Sequence, residues 1–386
     1  MNLLIAPAKL ADVARTAALA VRLQRDLRFP ILNCCRLTAG GNLSIFGTDL
    51  DSGIAAWADC DVVEPGEAIV DARKLADITA KLRGDVSIHT TATHLVVKCG
   101  RSQFTLTLLP ADDYPPPLVV DGGIPSVELG AADIAALFAA AATAAATRDD
   151  RIYLAGPALF GEPTDFGHRL CGVGTDAVAL SYAATAAGCS DLGKGRIIHR
   201  ATCKLAVDLF AGTGAAMRLT DNLVDLTSDS VQLVAKLIGA EPTAWRSMVP
   251  PVEMTNTAIV ARADLQASLE RCFAVIHHLT GDLAKRAPSV TLSWDASVCE
   301  ELRVAFGDIR SAPACRDAVA TKVLTGRVNI SIDPKRLLHL LAGLEGDDIC
   351  LSGKDRASPL RVDAGPDRFA VLSPVREFAH IEQDAA

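Results

Sequence analysis

Residues 70–88 read VDARKLADITAKLRGDVSI, the end of a strand, a basic amphipathic helix and the start of another strand. The pattern returns as IHRATCKLAVDLFAGTGAAMRL at 198–219 and as IDPKRLLHLLAGLEGDDICL at 332–351. Each copy has a β-branched residue, a basic residue just ahead of a Leu that seeds the helix, apolar positions at helical spacing, a Gly stop and a new strand. Aligning Leu75, Leu205 and Leu337 sets the copies 130 and 132 residues apart. So regular a period in a chain of 386 residues predicts three tandem copies of one domain. Three more helical patterns begin near Pro7, Gly130 and Ala261, so each copy holds two helices among strands, an α+β class.

Domains of that size can each bury a core. With 50% hydrophobic but only 4% aromatic residues, those cores must be aliphatic and Ala-rich. The eleven cysteines lie scattered, apart from the adjacent Cys34 and Cys35, and none has CxxC spacing. They read as buried cytosolic thiols rather than disulfides or metal ligands. Lys9, Asp12 and Arg15 interrupt the apolar run at the N-terminus, which therefore does not read as a secretory signal. The longest apolar stretch, 134–146, is too short and too rich in Ala to cross a membrane. A soluble cytoplasmic protein is expected.

A net charge of −8 argues against a nucleic-acid partner until the charge is apportioned. Residues 7–25 carry Lys9, Arg15, Arg22 and Arg25 against Asp12, and residues 71–84 carry Arg73, Lys74, Lys81 and Arg83 against Asp71 and Asp77. The helical stretches together are positive and the remainder is strongly negative. A positive face of helices suits a polyanion. Taken one helix at a time, the same Lys and Arg read simply as exposed helix formers.

Asp112-Asp-Tyr-Pro-Pro-Pro reads as a stiff, extended linker, and Val249-Pro-Pro-Val as a second one. The expected domains are 1–116, 124–249 and 253–376, with a tail at 377–386. Gly47-Thr-Asp reads as a break after a strand, and Gly100 as a tight turn between two strands.

Pro30-Ile-Leu, Gly47-Thr-Asp-Leu-Asp, Asp71-Ala-Arg-Lys-Leu and Gly100-Arg-Ser-Gln-Phe-Thr-Leu-Thr-Leu-Leu-Pro-Ala-Asp-Asp-Tyr-Pro carry a resemblance, in order and spacing as well as in residues. They resemble the N-terminal domain of the bacterial DNA sliding clamp, the beta subunit of the replicative DNA polymerase III. The resemblance implies a homodimeric ring, with sheets outside and helices lining a hole through which double-stranded DNA passes. It implies a non-catalytic processivity factor without cofactor or metal, tethering the polymerase catalytic subunit and the clamp loader through a short peptide motif. By resemblance, Arg25, Arg73, Lys74, Arg148, Arg151, Tyr153 and Arg200 face DNA phosphates. The peptide groove would be walled by Leu154, Thr175, Leu180, Pro242, Met248, Ser358, Val371, Pro374 and Arg376. Phe104, Val275 and Ile276 would meet across the dimer interface. On residue type alone, Leu154, Leu180, Met248 and Val371 read as ordinary core.

The chain departs from the family at that groove. Thr175-Asp-Ala-Val-Ala-Leu180 stands where clamps usually read Thr-Asp-Gly-His-Arg-Leu, which removes an imidazole and a guanidinium. The Gly-His-Arg-Leu at 167–170 falls one strand too early. Leu372-Ser-Pro-Val-Arg replaces the usual Met-Pro-Met-Arg, and residues 377–386 continue beyond it. A specialised paralogue, serving repair, mobile-element replication or inhibitor resistance, is therefore the alternative. An enzyme on an α+β repeat scaffold is the other. Its candidates are weak: Asp149 and Asp150 read as solvent-facing, Gly172-Val-Gly-Thr as a strand rather than a phosphate loop, and His277 and His278 as a helix C-terminus.

Overall fold

The computed structural model describes residues 1–21, 29–251, 255–277, 289–307 and 314–375. The stretch quoted first forms strand Gly66–Asp71, a helix Ala72–Thr79 and strand Val86–Thr90. The Asp71 carboxylate caps the helix by accepting from the Lys74 amide at 2.9 Å. The helix stops short of the expected residue 84. Lys81 and Leu82 bond to the carbonyls of Ile78 and Thr79, tightening the last turn, and Gly84 leaves it at φ 96°.

Among the described residues, six helices recur in pairs: α1 (Pro7–Val21), α2 (Ala72–Thr79), α3 (Ala131–Ile134), α4 (Arg200–Phe210), α5 (Arg262–His277) and α6 (Pro334–Ala342). Leu75, Leu205 and Leu337, the residues that set the period, are all buried. Asp333 caps α6 as Asp71 caps α2, accepting from the Lys335 and Arg336 amides. Each pair is embedded in the same order: one strand, a helix, four strands, a helix, three strands. The first copy adds a short strand, Asp61–Glu64, paired with Asn2–Ile5.

The chain packs as two compact units, Met1–Ala135 with Ala201–Gly239, and Ala136–Arg200 with Ala240–Ala386. The first unit holds a five-stranded and an eight-stranded antiparallel sheet over a core of Leu, Ile, Val and Ala. In the eight-stranded sheet, strand Val231–Lys236 pairs with Ser52–Ala58, so the last strand of the second copy extends the sheet of the first. The second unit holds a twelve-stranded sheet in which Arg368–Leu372 pairs with Ala179–Cys189, the same junction made by the third copy on the second.

Close packing decides several local features. In the first unit, Tyr114 of the expected linker is buried. Its hydroxyl donates to the carbonyls of Cys34 and Phe46, and the Arg36 guanidinium covers its ring, so a short 3₁₀ turn and an anchor stand where extended chain was expected. The helical pattern expected from Gly130 passes from α3 into a π turn and a 3₁₀ turn that ends at Ala144. The Ser181 hydroxyl donates to the Ala141 carbonyl and accepts from the Ala144 amide, interrupting the helical ladder. Gly172 and Gly174 lie in strand Gly167–Thr175, as expected. A Cβ on Gly174 would sit 2.1 Å from the Ala141 oxygen, so helix and strand meet this closely only over glycine.

Candidate interaction surfaces

The groove residues that the structure brings together all belong to the second unit. Thr175 opposes Leu180, Leu180 opposes Val371, and Val371 opposes Arg361, so one row crosses four strands on one face. Leu154, Thr175, Leu180 and Val371 are buried, whereas Pro242, Met248, Ser358 and Pro374 are half-buried. Arg376 lies outside the described residues. Tyr153, Thr175 and Pro242 line a cavity of about 10 Å³, room for a water at most.

Beside it opens a pocket of about 450 Å³ lined by Phe160, Lys194, Glu241, Pro242, Trp245 and Arg246. Trp245 packs against Phe160 and Tyr182, Arg246 stacks on Trp245 at 4.5 Å, and Lys194 pairs with Glu241. Apart from Pro242, these residues were not picked out from the sequence. Trp245-Arg246 shortly after Pro242 was the available signal, since the chain holds only three Trp.

The departure at 175–180 forms a defined turn. The Thr175 hydroxyl donates to the Ala179 carbonyl and accepts from the Ala177 amide, while Asp176 accepts from the amides of Val178 and Ala179. Thr48 to Ser52 in the first unit repeats these bonds one for one. Ala177 sits at φ 74° and Leu50 at φ 76°, the left-handed region that favours glycine. Val178 is exposed, while Ala179 is only 4% exposed and joins the core. Arg336 of α6 also donates to Asp176. Burial raises the Asp176 carboxyl, but the Arg336 guanidinium and the two amides outweigh it and hold it below the usual carboxylate range.

Among the residues expected to meet DNA, Lys74 in the first unit is exposed, with its ammonium 3.9 Å from Asp71. Arg73 is half-buried there, its Nε buried without a hydrogen-bond partner. In the second unit Arg148, Arg151 and Tyr153 are exposed along one short segment. Arg200 is engaged by Asp149, which also faces His199 at 3.4 Å. Asp149 and Asp150 are exposed, as expected, yet Asp149 is ion-paired and its carboxyl is held low, first by Arg200. Arg25 lies outside the described residues.

Phe104 is on Ser102–Thr107, the edge strand of the five-stranded sheet, half-buried against its own core. Val275 and Ile276 are on α5, half-buried and buried respectively. His277 ends that helix, and His278 lies outside the described residues. Among the described residues, no group of three His, Cys, Asp or Glu is placed to hold a metal, and no helix is long and apolar enough to cross a membrane.

The repeated order of strands and helices, and the sheets that run from copy to copy, define a sliding-clamp fold. Over 98% of this chain, it superposes on the clamp from Caulobacter crescentus with a TM-score of 0.85 at 23% identity, covering 100% of that chain. The match to the Bacillus subtilis clamp has a TM-score of 0.87 at 19% identity and covers the same shares. Residues 1–119 match the family model of the DNA polymerase III beta subunit, N-terminal domain. A beta sliding clamp of Pseudomonas aeruginosa is 37% identical over 40% of this chain and 44% of its own length. One of Caulobacter vibrioides is 30% identical over 58% of this chain and 62% of its own. The chain thus aligns with less than two thirds of the length of these relatives. Residues 1–119 thus match the beta subunit family, and the chain as a whole is similar to the bacterial beta sliding clamps.

Proposed function

We propose that the chain is a non-catalytic DNA sliding clamp of the cytoplasm: two copies close a ring around duplex DNA and tether a polymerase and other partners. The domains would be 1–116, 124–249 and 253–376. What carries the reading is the junction made twice within the chain, where the last strand of one copy pairs with the fourth strand of the copy before it. The last strand of the first copy, Ser102–Thr107, has a partner on one side only among the described residues. In the third copy, the N-terminal half of strand Cys315–Thr325 pairs only with Glu301–Phe306 among the described residues. A second copy of the chain would satisfy both edges in the way already used inside it.

Encirclement needs only weak phosphate contacts, and Lys74, Arg148 and Arg151 suit that better than Arg200, which Asp149 engages. The row Thr175, Leu180 and Val371, with the neighbouring pocket at Trp245, would take the partner's peptide. Light scattering on eluting protein tests the ring: a dimer is expected, and a monomer for Phe104→Asp. A native chain that elutes as a monomer overturns the reading.

A second reading, a paralogue with altered partners, is favoured by Val178 and Ala179, which put neither imidazole nor guanidinium at the groove turn. Titrating a fluorescent clamp-binding peptide against the native chain and Val178→His separates the two. Tighter binding by the variant supports the paralogue, and equal binding removes it.

A further inference from the structure

Cys272 and Cys315 bring their sulfurs to 3.1 Å, although 43 positions separate them in the chain. Cys272 lies on the buried side of α5, and Cys315 opens strand Cys315–Thr325, half-exposed. Both are free thiols. An approach of about 1 Å would bring them to disulfide bonding distance. Their opposition is held by a second tie between the same two elements, because Arg271 Nη2 reaches Asp317 Oδ2 at 2.6 Å. Cys34 and Cys35 are adjacent in sequence, yet they point to opposite faces of their strand.

We propose that Cys272 and Cys315 form an oxidative modification site, where a hydroperoxide converts the two thiols into a disulfide that ties α5 to strand Cys315–Thr325. Cys315, the more exposed sulfur, attacks first as the thiolate. An S–O bond forms, the O–O bond breaks, and the departing oxygen takes a proton and leaves as the alcohol, or as water when the oxidant is hydrogen peroxide. The Cys272 sulfur then attacks the sulfenic sulfur of Cys315. The S–S bond forms, the S–O bond breaks, and hydroxide leaves with the Cys272 proton as water. Two thiols and one hydroperoxide give one disulfide, one alcohol and one water, with two electrons passing from sulfur to oxygen. Burial, reinforced by the hydrogen bond with Cys315, raises the Cys272 thiol, so Cys272 keeps its proton while Cys315 is oxidised and gives it to the departing hydroxide in the second step.

The test uses the reduced full chain, treated with hydrogen peroxide, blocked with N-ethylmaleimide and digested without reductant for mass spectrometry. A peptide pair linking Cys272 to Cys315 is expected, reversed by dithiothreitol, formed roughly tenfold faster than any other of the eleven cysteines is oxidised, and absent from Cys315→Ser. Where Cys272→Ser fails to fold, the half-exposed Cys315→Ser serves as the control. Accumulation of sulfinic acid on Cys315 beside a free Cys272, or earlier oxidation elsewhere, overturns the proposal. Because Cys315 opens the strand whose free edge a second copy would cover, the assay is run on the native chain and on Phe104→Asp, and the same linked peptide is expected from both.

Discussion

The Arg336 guanidinium of α6 donates to the Asp176 carboxylate, joining the helix to a turn 160 positions earlier in the chain. A carboxyl whose folded pKa lies below its unfolded value of about 4 stabilises the fold above that value and loses the contribution as pH falls through the folded pKa. Arg336→Ala should cost about 1 kcal/mol at pH 7, a modest figure because the Arg336 side chain is 39% exposed and partly screened. The native and variant chains should converge in stability as Asp176 protonates. Urea unfolding at pH 7 and in acid checks this, and a gap that persists in acid refutes it.

The left-handed residues of the two matching turns predict a gain. Ala177→Gly and Leu50→Gly should each stabilise by roughly 0.5–1 kcal/mol, since relief of the Cβ clash exceeds the added entropy of the unfolded chain. Thermal unfolding should show a higher midpoint for both.

Restoring the family's two polar residues should not be symmetrical. Val178→His should leave stability within about 0.5 kcal/mol, because that side chain faces solvent. Ala179→Arg should cost about 3 kcal/mol or more, because its side chain belongs to the core. Chemical denaturation of the two single variants decides between them.

Gly174→Ala and Gly47→Ala test the close approach of helix to strand in both units. A Cβ on Gly47 would lie 2.4 Å from the Ala17 oxygen, matching the contact of Gly174 with Ala141. Each substitution should destabilise by about 2 kcal/mol or more. Hydrogen exchange should quicken in α1 for Gly47→Ala and in the 141–144 turn for Gly174→Ala.

What the sequence determined by itself was local and repeated. Leu75, Leu205 and Leu337 announce their helices, and Gly100 its turn, because helix and strand periods are written in neighbouring residues. Tertiary structure alone decided what depends on which distant segments meet. It placed Asp149 against Arg200, so that a residue expected to face DNA is engaged within the protein. It set Ser181 into the turn that ends at Ala144 and buried Tyr114 in the expected linker. Trp245 and Lys194 join one pocket across 51 positions for the same reason. A side chain's exposure and charge partner follow from strand pairing and close packing, and neither has a period that a single stretch of sequence can display.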